Sequence, residues 1–131
     1  MENIFKFEVI NPEKIIFSED VKMVTFPSYE GDMSILKNHI SIITFLRPGI
    51  IKAEKSDESK EEFFVEDGTV EFFDNNLVIL SISARNVKNL SKDFLDNLRE
   101  DTEKELTEKN ISDQNQYILN HKLNVIKNIR V

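Results

Sequence analysis

The stretch FPSYEGDMSILKNHISIITFLRPGII, residues 26–51, decides the fold. The whole chain of 131 residues has only three glycines and three prolines, and Pro27, Gly31, Pro48 and Gly49 all fall here. Proline fixes φ and glycine permits positive φ, so this punctuation predicts fixed turns between the apolar runs Met33–Leu36 and Ile40–Leu46. Both runs are too short for a stable helix, and Ile40–Leu46 is rich in β-branched residues. They read as strands.

Working outward, the same texture continues on both sides. Ile4–Ile10 alternates Phe5, Phe7 and Val9 with Lys6 and Glu8, the period of a half-buried strand. Asn11-Pro12-Glu13 is a turn, Lys14–Phe17 a second strand, and Ser18-Glu19-Asp20 a break before Val21–Phe26. Pro27 is expected to end pairing, because it removes a backbone donor. Downstream, Arg47-Pro48-Gly49 turns into Ile50–Glu54, and the charged run Lys55–Glu62 reads as a solvated hairpin end. Asp67-Gly68 is a strong hairpin signal between Glu62–Val65 and Thr69–Phe73. Asp74-Asn75-Asn76 turns into Leu77–Ile82. Short strands at this even spacing predict an antiparallel sandwich or barrel.

The period changes after Ala84. Ser91 can cap a helix with Asp93 in its first turn, and Phe94, Leu95, Leu98, Thr102 and Leu106 then share one face. Glu100–Lys104 and Glu105–Lys109 stand four apart with the acid first, the better order for an exposed helix. Lys109-Asn110-Ile111 breaks it. Ser112 can cap a second helix carrying Ile118, Leu119, Leu123, Val125, Ile126 and Ile129. The expectation is a β-sandwich domain over residues 1–85 and an antiparallel two-helix hairpin over 86–131.

The net charge of −7 argues against a nucleic-acid partner, which requires a basic face. Residues 1–84 carry 16 acidic and 8 basic side chains, while residues 85–131 carry 8 and 9. The two parts therefore have different electrostatic surroundings. There is no cysteine, which excludes disulfides and thiolate metal sites and fits a cytosolic protein. The N-terminal residues lack the pattern of a signal or transit peptide. No run approaches the ~20 apolar residues of a membrane span.

Phosphate-binding, dinucleotide-binding, nucleophile-elbow and zinc-protease motifs are all missing. Two histidines some 80 residues apart (His39 and His121) do not make a metal site. Asp32 and His39 could meet across a turn as acid and base, but turn and surface roles explain them more simply. The residues alone point to a binding or coupling protein. A ligand- or carbohydrate-binding sandwich with a helical tail is the alternative, weakened by the absence of Trp and by ten Phe whose alternation suits core packing.

The order of parts resembles the epsilon subunit of the F-type ATP synthase. The motifs that carry the likeness are Val24-Thr25-Phe26-Pro27, Glu30-Gly31-Asp32, Leu36-Lys37-Asn38-His39 and Leu46-Arg47-Pro48-Gly49-Ile50-Ile51. The hairpin Glu66–Phe72 and the strand Asn75–Leu80 extend it. The resemblance implies a ten-stranded sandwich and a two-helix domain in the central stalk, without catalysis of its own. It implies binding to the gamma subunit and to the c-subunit ring, with Glu30, Asp32 and His39 facing the ring. It also implies that the helices can extend and inhibit ATP hydrolysis, with Lys122, Lys127 and Arg130 meeting the beta subunit. Some family members bind ATP through a motif that Leu95, Asp96 and Arg99 match here, although Glu100 departs from it. Ordinary helix-surface charges are the preferred reading of Asp96 and Arg99, and no cofactor is expected. The place implied is peripheral, on the cytoplasmic face of a bacterial inner membrane or an organelle-encoded equivalent.

Overall fold

The computed structural model describes residues 3–130. The chain divides into two compact units, residues 1–86 and 87–131.

The first unit contains ten strands: β1 Phe5–Ile10, β2 Ile15–Val21, β3 Met23–Ser28, β4 Gly31–Leu36, β5 Ile42–Leu46, β6 Gly49–Glu54, β7 Lys60–Val65, β8 Gly68–Phe73, β9 Asn76–Leu80 and β10 Arg85–Asn86. Hydrogen bonding orders them as two layers, β4-β3-β6-β7-β10 and β5-β8-β9-β1-β2. Between β3 and β5 the layers are joined by a single register pair, Ser28 with Leu46. The antiparallel expectation holds for every pair except β1 with β9, which run parallel. Strands joined by tight hairpins must be antiparallel, but no hairpin joins β1 to β9, so nothing constrains their direction.

Two local expectations need correction. Ser18, Glu19 and Asp20 do not break a strand: β2 runs through them, pairing Glu8, Phe7 and Lys6 of β1 in register. On an edge strand their side chains reach water while the backbone stays paired, and charge there blocks stray edge pairing. Pro27 likewise stays within β3, opposite Asp32. Proline lacks only the donor, and its carbonyl accepts the Arg47 N–H at 3.1 Å.

The inner faces of the layers close on each other. Phe26, Ile35, Ile51, Phe63 and Val65 come from one, and Phe7, Val9, Leu46, Phe72, Leu77 and Ile79 from the other, all essentially without solvent exposure. Phe63 meets Phe17 edge-on at 5.3 Å and Phe7 at 6.5 Å, so aromatic contacts cross the gap. Every member of this core cluster lies between Phe5 and Ala84. The sandwich core is self-contained.

In the second unit a short 3-10 turn, Val87–Asn89, precedes α1 Lys92–Leu106 and α2 Asp113–Asn128. Both predicted caps form. Ser91 Oγ accepts the Phe94 N–H at 3.0 Å and Ser112 Oγ accepts the Asn115 N–H at 3.1 Å. Asn110 adopts positive φ where the helices separate. The start of α1 shares a groove with the end of α2, and the end of α1 shares another with the start of α2, so the pair is antiparallel. Its contact is thin: Leu95 and Thr102 are the buried residues of α1, and Lys122 and Ile126 those of α2. The Thr102 hydroxyl, fully buried, donates to the Leu98 carbonyl at 2.7 Å, so its burial leaves no unmet donor.

Candidate functional site

The hairpin joining β3 to β4 turns at Tyr29-Glu30, with Gly31 at φ +122°. The buried Ser28 hydroxyl donates to the Gly31 carbonyl at 2.6 Å and accepts the Glu30 N–H at 3.2 Å, which fixes the turn from within. Glu30 and Asp32 both point to solvent. Asp32 Oδ1 stands 3.9 Å from Arg47 Nη2, and the Arg47 side chain is 17% exposed against 72% for Asp32. A largely covered guanidinium thus anchors an open carboxylate.

His39 is not there. It follows β4 at the opposite end, and a rise of about 3.3 Å per residue puts the two turns roughly 16 Å apart. The strand β4 stands between the histidine and the turn that carries both acids. His39 Nδ1 lies 2.7 Å from the Ile40 carbonyl, and its ring stands edge-on to Phe72 at 6.0 Å. Beside it, Asn38 and Asn75 exchange two hydrogen bonds that tie the turn after β4 to the β8–β9 hairpin. These contacts make His39 part of a turn lock and leave Asp32 and His39 unable to act on one substrate atom.

A feature that strand-by-strand reading missed is the outer face of β5, β8, β9 and β1. Register aligns Phe45 with Thr69, Thr69 with Leu80, and Leu80 with Ile10, giving one outward row across four strands. A second row aligns Ile43, Glu71, Val78 and Glu8. Exposure reaches 74% at Ile43, 58% at Phe45, 64% at Phe73 and 50% at Leu80. Phe45 and Phe73 thus depart from the expectation that the phenylalanines serve the core. The available signal was doubling: Ile42-Ile43, Phe72-Phe73 and Leu77–Leu80 place apolar residues on both faces of a strand. At the Gly68 end the face sinks into an open groove of about 710 Å³ whose walls include Ile10, Phe45, Leu80 and Ile82.

In the helical unit, Leu95, Asp96 and Arg99 of α1 share a groove of about 610 Å³ with Lys127 and Arg130 at the end of α2. Residues assigned above to two different roles thus occupy one place. Arg99 is flanked by Asp96 at 3.9 Å and Glu103 at 3.5 Å, which offset its charge. Lys122 is elsewhere, buried to 8% exposure. Among the described residues no cluster of three or more metal-binding side chains occurs, and no helix is long and apolar enough to cross a membrane.

Residues 4–87 match the family model of the ATP synthase delta/epsilon chain β-sandwich domain. An ATP synthase epsilon chain of Pelagibacter ubique (strain HTCC1062) is 45% identical over 130 residues, covering 98% of this chain and 99% of the relative. One from Chelativorans sp. (strain BNC1) is 32% identical over 92 residues, 70% of this chain and 68% of the relative. Among solved structures, a chain of the Euglena gracilis mitochondrial ATP synthase (OSCP/F1/c-ring, rotational state 1) superposes with a TM-score of 0.73 over 97% of this chain and 79% of that one. At 17% identity that likeness speaks for the fold. The sandwich model and the near full-length relative together establish that the chain belongs to the ATP synthase epsilon chain family.

Proposed function

We propose that the chain is a non-catalytic central-stalk subunit of an F-type ATP synthase. It couples proton flow through the c-subunit ring to ATP synthesis together with gamma, and its helices restrain ATP hydrolysis. The observation that carries this reading is the exposed apolar face of β5, β8 and β9, with Ile43, Phe45, Phe73 and Leu80 each at least half exposed. An apolar surface of this breadth, with Glu71 within it and Asp67 at its edge, suits a permanent protein partner better than water. Gamma is that partner in this reading. Glu30 and Asp32, held by Ser28 and Arg47, are the ring-facing contacts, whereas the internal bonds of His39 favour a positioning role in its turn.

Residues 86–131 form the regulatory domain and residues 1–85 the docking domain. Exposed Lys127 and Arg130 are suited to an acidic loop of the beta subunit; buried Lys122 would first need the hairpin to open. The subunit sits peripherally on the cytoplasmic face of a bacterial inner membrane, or in the organelle-encoded equivalent. The test is titration of gamma into the full chain, with ATP hydrolysis by the catalytic head measured beside it. Micromolar or tighter binding and slowed hydrolysis are expected. Failure to bind gamma at micromolar concentration would sink the reading.

A second reading has its own observation. The groove that gathers Lys92, Asp96, Arg99, Lys127 and Arg130 brings four cations and one acid within reach of a polyphosphate. ATP titration of the isolated chain decides it: saturable binding lost in Arg99→Ala supports a nucleotide site, and no binding at millimolar ATP removes it.

A further inference from the structure

Half of the residues buried in the helical hairpin are polar. They are Leu95 and Thr102 of α1, and Lys122 and Ile126 of α2. Thr102 has no solvent exposure and Lys122 has 8%. Both polar residues occupy positions where the helical repeat calls for apolar ones. Thr102 follows Leu95 by two turns, and Lys122 stands midway between Ile118 and Ile126 on one stripe of α2.

The two grooves of the hairpin fix the level of this pair. One groove brings Leu95 and Arg99 together with Ile126 and Ile129, and the other brings Glu105 and Glu108 together with Ile118 and Leu119. Thr102 and Lys122 fall between the grooves on their respective helices, so both lie near the middle of the seam. The Thr102 hydroxyl gives its hydrogen to the Leu98 carbonyl of its own helix at 2.7 Å, and as a donor it ties nothing across the seam. The acids within one turn of Thr102, namely Asp101, Glu103 and Glu105, are exposed, so loss of a cation there strands none of them away from water. A lysine stem can line an apolar seam, but covering the ammonium costs hydration even where the charge has a partner.

We infer that Lys122 sets the balance between the closed hairpin and a parted one, by holding a cation at the middle of the seam where an apolar side chain would hold the helices more tightly. Parting the helices returns the ammonium to water and exposes little buried apolar surface beyond Leu95 and Ile126, which keeps the two arrangements close in free energy. Helices of 15 and 16 residues are marginal alone in water, so each frays once the seam parts. The hairpin thus belongs to the low-stability end of the chain. The inference takes from the regulatory reading above only that the hairpin opens in use, and extends it to the residue that governs how readily.

Hydrogen exchange on the full chain tests it, read at the amides of α1 and α2 with the sandwich amides as internal reference. Lys122→Met removes the charge and keeps a stem of similar length and helix propensity. Lys122→Arg keeps the charge, and Lys104→Met removes an exposed charge from α1. Lys122→Met is expected to slow exchange in both helices by about fivefold or more. Lys122→Arg should leave exchange as fast or faster, and Lys104→Met should change it by less than about twofold. Unchanged or faster exchange in Lys122→Met overturns the inference, because the lysine then plays no part in the balance or itself holds the hairpin closed. Equal slowing in Lys122→Arg overturns it as well, since packing and not charge would be the cause. Equal slowing in Lys104→Met does the same, since net charge and not position would then act. The measurement needs neither gamma nor the catalytic head, so it judges Lys122 separately from the titration that judges the stalk reading.

Discussion

Asn38 and Asn75 hold each other across the end of the sandwich. The Asn38 N–H donates to Asn75 Oδ1 at 2.7 Å, and Asn75 Nδ2 donates to Asn38 Oδ1 at 3.0 Å. Both residues have positive φ, 68° and 60°. Asparagine tolerates that backbone region better than most L-residues, and its short amide can bond the nearby main chain. Asp74 and Asn75, both with positive φ, form the two-residue turn between β8 and β9 that matches strand twist. One asparagine pair therefore locks two turns that are 37 positions apart in the chain.

Replacing Asn75 by Ala removes both bonds and leaves a less suitable residue at positive φ. A loss of about 2 kcal/mol is expected. Asn75→Gly removes the same bonds without the backbone penalty and should cost about half as much. Chemical denaturation of the two variants checks the order; equal losses would show that the backbone conformation contributes nothing.

Gly68 sets the other end. It has φ +151°, and a Cβ there would lie 2.7 Å from the Leu80 carbonyl oxygen and 3.0 Å from Ser81 Cβ. The obstruction is backbone, so Gly68→Ala should lower stability by about 2 kcal/mol. Gly31→Ala has open space around it and only its φ to oppose it, so the smaller loss is expected there. Thermal unfolding of both variants compares them directly.

Lys55 bridges two carboxylates. Its Nζ lies 3.2 Å from Glu19 and 3.5 Å from Glu61, and the hydrogen bond to Glu19, with the attraction of both acids, raises its pKa above the ordinary lysine value. A raised folded value means that this stabilisation is complete below pH about 10 and is lost as pH climbs through the folded pKa. Lys55→Met should be less stable at neutral pH by under about 1 kcal/mol, because the network is partly exposed. Urea midpoints measured from pH 7 to 11.5 should show the gap closing only at the alkaline end.

Because the sandwich core lies wholly between Phe5 and Ala84, a chain ending at Lys88 should fold by itself. It is expected to unfold in one cooperative step and still bind gamma. Loss of cooperative unfolding would show that the helices contribute to the core.

Much of the local structure was legible because it obeys local rules. Alternation in Ile4–Ile10, the Asp67-Gly68 turn and the caps Ser91 and Ser112 each depend on neighbours in the chain. The misread segment, Ser18–Asp20, failed because polarity was taken as a break, whereas pairing with β1 holds the backbone regardless of side chain. The short β10, Arg85–Asn86, has no periodic signal and exists through its bonds to β7.

The sequence alone determined the element order, the change of period after Ala84 and the family to which the motifs belong. All three are written in spacing and in conformationally restricted residues. Tertiary structure alone decided that His39 lies a strand's length from Asp32, that Thr69 sits between Phe45 and Leu80, and that Lys122 is buried while Lys127 is not. Those relations depend on register between strands and on rotation of one helix against another. Register is set by pairing energies summed over residues far apart in the chain, which no local pattern records.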